Sequence, residues 1–158
     1  MIPRWSGLLL GAALAGCHAD STPVYQAGNL TISRVVAPVP VIGGPGGVYF
    51  TITAHGVGDT LLAVTTPVAD SAQIHATMAR GEVLMMAPTA AVPIPAGATV
   101  RFAPGGRHVM LLGLHRTLIA GDSFPVELIF RRAGRLTVSA HLADYAHLDE
   151  ALGTSGAP

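Results

Sequence analysis

The sequence predicts an all-β domain, an immunoglobulin-like sandwich or a Greek-key barrel, on three observations. From Leu30 onward the chain breaks into short apolar or alternating runs of strand length, most of them rich in β-branched or aromatic residues. Clusters of Gly and Pro separate these runs. No stretch after the N-terminal segment carries a sustained apolar stripe at the helical period, so a helix would have no face to bury.

Composition narrows the function classes. The 158 residues make roughly one domain, and charged residues are 11% of the chain where ~25% is ordinary. Nine arginines offset nine carboxylates, giving a formal net charge of zero. A nucleic-acid binder would carry a basic surplus, and a disordered chain would pair low hydrophobicity with high charge. The single cysteine leaves no intramolecular disulfide framework, Cys-x-x-Cys pair or cysteine-rich zinc site. Function must therefore come from His, Met, Arg or the few carboxylates.

The first element is an address. The chain opens with one charge at Arg4, runs apolar from Leu8 to Ala15, and has no further charge until Asp20. That run is too short to span a bilayer and has the form of a secretory signal. It ends Leu14-Ala15-Gly16-Cys17, which resembles the bacterial lipobox, with the chain's one cysteine at the position the motif requires. The reading is a lipoprotein signal peptide over 1–16 and a lipidated Cys17 opening a polar tether over 17–28. A β domain then fills 29–143, and a loose tail of small and acidic residues fills 144–158. His18 follows the cysteine in place of an Asp inner-membrane retention signal, so the expected location is the bacterial periplasm, lipid-anchored, with the outer membrane favoured. An ordinary signal peptide with an incidental Cys is the alternative.

Within the domain the expected strands are Leu30–Ala37, Val48–Ala54, Leu61–Thr66, Ala72–Thr77, Val83–Ala87, Thr99–Phe102, Val109–Leu112, Val126–Phe130 and Leu136–Ala140. The turns between them include 43–47 (Gly-Gly-Pro-Gly-Gly), 93–97 (Pro-Ile-Pro-Ala-Gly), 104–106 (Pro-Gly-Gly) and Ala133-Gly134. A chain of this length can bury one such core.

Two groups of side chains merit geometric work. His108 and Met110 are two apart in a strand, so both project from one face. Across the hairpin of Gln73–Met78 and Val83–Ala87, a turn centred on Arg80-Gly81 sets His75 opposite Met86, with Met78 and Met85 on the other face. A one-residue slip would exchange Met85 for Met86, and Arg at the first turn position leaves a longer loop open. Two imidazoles and two thioethers would suit Cu(I), because thioethers are poor ligands for zinc, magnesium or calcium. No thiolate lies in the body, so a blue-copper site lacks its defining Cys. Core packing, for which Met is a common gap-filler, explains the same residues equally well on composition and spacing alone.

The spacing itself is similar to a known signature. His75, Met86, His108 and Met110 read H-x10-M-x21-H-x-M, which resembles the motif of the periplasmic copper chaperone family PCu(A)C. Ile94-Pro95-Ala96-Gly97 and the run from Pro104 to Leu114 also look like that family, and the likeness covers about Leu30 to Ala140. The resemblance implies a cupredoxin-like β fold and a surface Cu(I) site with His75, Met86, His108 and Met110 as ligands. It also implies a non-enzymatic role in delivering copper towards the Cu(A) centre of cytochrome c oxidase. Implied partners are a copper donor or acceptor such as cytochrome c oxidase subunit II or a Sco-type protein, with the membrane reached through the lipid anchor and no nucleic acid. Met78 and Met85 are not part of the matched motif, His55 and His115 read as structural or loop histidines, and His141 and His147 alone stand near the C-terminus.

Three alternatives remain at this point. Copper scavenging or uptake by a lipoprotein would look the same. A structural or adhesive lipoprotein would use its strand edges. A hydrolase would draw on Asp70, Ser71 and His75, or on Asp122 and Ser123, although no Gly-x-Ser-x-Gly elbow is present.

Overall fold

Alternation along the chain becomes alternation in space. The computed structural model describes residues 23–80 and 83–154; Cys17 and the expected signal peptide lie outside them. The strands are β1 (Val24–Ala27), β2 (Leu30–Pro38), β3 (Gly46–Ala54), β4 (Asp59–Thr65), β5 (Ala69–Arg80), β6 (Val83–Pro88), β7 (Val92–Ile94), β8 (Thr99–Phe102), β9 (Arg107–Leu114), β10 (Ser123–Phe130) and β11 (Arg135–Ala143). Along β3 every second residue is buried, Val48, Phe50 and Ile52 inward and Tyr49, Thr51 and Thr53 outward, which is the period-two pattern of a half-buried strand.

One curled sheet holds the strands in the order β6-β5-β9-β8-β3-β2-β11-β10-β4-β7, with β1 added beside β2. Its inner side encloses a single main core, in which Phe50 and Phe102 stack at 4.3 Å between ring centroids. Most pairings are antiparallel, but β2 runs parallel to β11, so the chain crosses over rather than meandering. The all-β expectation holds.

Three local expectations differ. The tether does not continue to Gly28: β1 pairs with β2 through a turn in which Gly28 takes φ +57°, a conformation glycine adopts at little cost. Residues 93 and 94 of the expected 93–97 turn belong instead to a strand, because β7 pairs with β4. Pro93 is tolerated there because β7 is the end strand of the order and needs no donor on its outer side. Nor is the stretch after Asp144 loose throughout. Tyr145–His147 form a 3-10 turn and α1 (Leu148–Leu152) follows, with Leu148 and Leu152 buried against Val36.

The β5–β6 hairpin positions the site. Its register is His75 with Pro88, Thr77 with Met86, Met78 with Met85 and Arg80 with Val83. This is two residues away from the expected pairing. Because strand side chains repeat every two residues, a slip of two keeps each residue on its face. Met86 is therefore diagonal to His75 rather than opposite it, and on the same side of the ribbon.

Candidate metal centre

A short turn sets the position of the first imidazole. Pro104 and Gly105 are the central residues of a turn closed by Gly106 N–H donating to the Ala103 carbonyl at 3.1 Å. Gly105 has φ +72°, as the third position of a type II turn after proline demands. The turn feeds β9, which pairs with β5 so that His75 faces His108 and Gln73 faces Met110. His75, Met86, His108 and Met110 thus lie on one face of the three-stranded ribbon β6-β5-β9, while Ile74, Val109 and Leu111 on the reverse face enter the core.

Hydrogen bonds fix both rings. His108 Nδ1–H donates to the Gly106 carbonyl at 3.2 Å, and the same oxygen accepts the Thr77 N–H at 3.3 Å and the Thr77 hydroxyl at 3.2 Å. That tautomer leaves His108 Nε2 with its lone pair free. His75 Nε2–H donates to Gln73 Oε1 at 3.1 Å. Its Nδ1 is buried with no hydrogen-bond partner, a state that costs free energy unless something else fills it. The two ring centroids are 5.8 Å apart. Burial, and then the neighbouring His108, push the His75 imidazole below the usual histidine range. Its neutral, ligand-competent form is therefore favoured.

Exposure decides against the core-packing reading for three methionines. Met78, Met85 and Met86 are 55%, 48% and 60% exposed, so they fill no gap in the core. Met110 is partly buried beside the buried His108. Among the described residues no three His, Cys, Asp or Glu side chains gather as a metal site. The donors that do share one face are two imidazoles and two thioethers, which fits a soft monovalent ion and not a hard one.

The remaining histidines of the described residues go elsewhere. His55 Nε2 lies 2.7 Å from the Thr31 hydroxyl. His115 Nε2 is 2.8 Å from Asp70 Oδ1, and that hydrogen bond, with the Pro67 carbonyl and the Asp70 charge, outweighs slight desolvation and raises its pKa. His141 and His147 line a separate cleft of about 890 Å³. The Asp70–His115 pair, 45 residues apart in sequence, carries no local signal that a sequence reading could use. Among the described hydrogen bonds neither Ser71 nor Ser123 engages a histidine, and Asp122 faces Arg116 at 3.4 Å.

Comparison with known proteins places the chain. Residues 30–142 match the family model described as "Putative lipoprotein LpqE-like". A protein of Leifsonia xyli subsp. xyli (strain CTCB07) named "Putative lipoprotein Lxx21020" is 30% identical over 151 residues, covering 92% of this chain and 90% of that one. The copper-bound PCuAC domain from PmoF2 superposes with a TM-score of 0.68 at 24% identity, over 77% of this chain and 98% of that chain. The apo PCuAC domain from PmoF1 gives 0.66 at 26% identity, over 77% and 99%. The solution structure of CuI-DR1885 from Deinococcus radiodurans gives 0.57 at 29% identity, over 70% and 76%. With a family match spanning nearly the whole β domain and a fold shared with these neighbours, the chain belongs to the LpqE-like family, and its domain is of the PCuAC type.

Proposed function

We propose that this protein is an extracytoplasmic Cu(I) carrier that binds the ion through His75 Nδ1, His108 Nε2 and the thioethers of Met86 and Met110. The single observation carrying the reading is the buried, unpartnered Nδ1 of His75 on the same face as the free nitrogen of His108. Similarity to a structure described with Cu(I) bound supports the choice of ion. Met86 stands on the end strand of the sheet and is exposed, so an acceptor's ligand can replace it first. Release then proceeds by ligand exchange, with no thiolate bond to break.

The proposed destination is the Cu(A) centre of cytochrome c oxidase, through its subunit II or a Sco-type protein. A copper-scavenging lipoprotein would use the same site. The lipoprotein description of the family and of the Leifsonia protein supports attachment to the membrane through Cys17. The activity proposed is carriage, not catalysis. Anaerobic Cu(I) titration against a coloured chelator should give one tight equivalent, and His108→Ala with Met110→Ala should lower its affinity at least 100-fold. An unmutated protein that fails to compete for Cu(I) overturns the reading.

A further inference from the structure

The motif leaves two methionines unused, and the hairpin brings them together. Met78 and Met85 are directly opposed across β5 and β6, so their Cβ atoms stand on the order of 4.5–5.5 Å apart. They project from the face opposite Met86 and Thr77, the face that lower down β5 carries Ile74 into the core. The β5–β9 pairing ends at Ala76 with Arg107. The Met78–Met85 pair therefore sits on a two-stranded overhang, beyond the core, with both side chains about half exposed.

Each side chain is long, unbranched and adaptable, and each ends in a neutral, polarizable sulfur. Two such sulfurs on neighbouring strands can converge on one soft monovalent cation from opposite sides. Nothing else in the described structure uses them: they fill no cavity in the core.

We propose that Met78 and Met85 form a second soft-metal site, a two-thioether site for Cu(I) on the reverse side of the hairpin from His75, His108, Met86 and Met110. It is the weaker of the two, because it offers no imidazole and because Arg107, paired with Ala76 on that same face, sets a positive charge nearby. Cu(I) binds there without change of oxidation state and without loss of a proton. The site is independent of the ligand set proposed above, since the two sets share no residue.

The test is a titration of the full chain, carrying Cys17→Ser so that no thiol competes, in mild detergent with its methionine ε-methyl groups labelled with carbon-13. Cu(I) is the probe, and Ag(I) is a redox-inert check. The first equivalent should move the Met86 and Met110 methyl signals. A second, bound 10- to 1,000-fold more weakly, should move Met78 and Met85 together. Met78→Leu with Met85→Leu keeps the side-chain volume and should abolish the second equivalent while leaving the first. His108→Ala with Met110→Ala should do the reverse. Loss of only the first equivalent in the unmutated chain would count against the carrier reading and leave this site standing. The proposal is overturned if the Met78 and Met85 signals stay still in excess metal, as a protein-docking ridge would predict. It is overturned equally if they move together with Met86 and Met110 in one equivalent, or if the double leucine variant retains the second.

Discussion

At the residue scale, what makes the candidate centre chemically ready is the pair of groups that hold its rings. A metal-bound histidine depends on the partner of its other nitrogen for tautomer and orientation. For His108 that partner is a backbone carbonyl held in a tight turn; for His75 it is the side chain of Gln73. Gln73 was invisible to the sequence reading because no pattern in one chain marks a residue whose role is to accept a proton from a ring two positions away. Gln73→Ala should leave the fold intact, because the residue is exposed, and should weaken Cu(I) binding about 10-fold, as losses of such partners generally do. Chelator competition measures the affinity, and an unchanged melting temperature separates a positioning effect from damage to the domain. An unchanged affinity would mean that burial alone orients His75.

At the scale of elements, the strands that alternate cleanly were readable and the ones held by long-range contacts were not. β3 and β10 announce themselves by their period-two burial. β1 and β7 do not, being four and three residues long, and α1 exists only because Leu148 and Leu152 have Val36 to pack on. An irregularity in β2, where its register with β3 shifts between Ser33 and Val36, serves the same end. Arg34 adopts φ 56° and places its Nη1 3.1 Å from the Leu152 carbonyl at the end of α1, where a positive charge meets the helix's unpaired carbonyls.

Asp59 is the strongest example of an element fixed from a distance. Its carboxylate is buried at 7% exposure and accepts the N–H groups of Thr60 at 2.7 Å, Arg132 at 3.0 Å and Ala133 at 2.9 Å. It thereby ties the start of β4 to the β10–β11 turn. Burial alone would raise its pKa, but the three amides and the Arg132 charge outweigh burial and hold it below the usual carboxylate value. A depressed folded-state pKa gives stability that is complete above the unfolded value of ~3.9 and is lost as pH falls through the folded one. Asp59→Ala should cost about 3 kcal/mol at pH 7, because three part-buried backbone donors lose their acceptor. Urea unfolding at pH 7 and near pH 2 should show the gap between variant and parent shrinking in acid. A gap that stays constant would mean that the carboxylate's charge contributes nothing.

For the whole molecule, the fold class and the candidate face were legible while the exact pairing was not, and the reason is the same for both. Side-chain direction in a strand depends only on parity, so a reading two residues out in register still gathers His75, Met86, His108 and Met110 on one surface. What parity cannot give is which nitrogen is free or how far the hairpin overhangs, because those depend on the β8–β9 turn and on where the β5–β9 ladder stops.

That assembly makes a further consequence measurable. The four proposed ligands come from β5, β6 and β9, so Cu(I) would cross-link the end of the sheet to its body, and the unfolded chain offers no such arrangement. A ligand that binds only the folded state adds about 4 kcal/mol when present at 1,000 times its dissociation constant. For a domain of this size that corresponds to a rise in Tm on the order of 10–20 °C. Differential scanning calorimetry under anaerobic conditions should show that rise for the unmutated chain and little of it for His108→Ala with Met110→Ala. Hydrogen exchange should show the added protection spreading into β6, because Met86 would anchor a strand that otherwise pairs only with β5. A full thermal rise with β6 unprotected would mean that the ion is held by β5 and β9 alone, and that Met86 is a ligand offered to the partner rather than to the resting site.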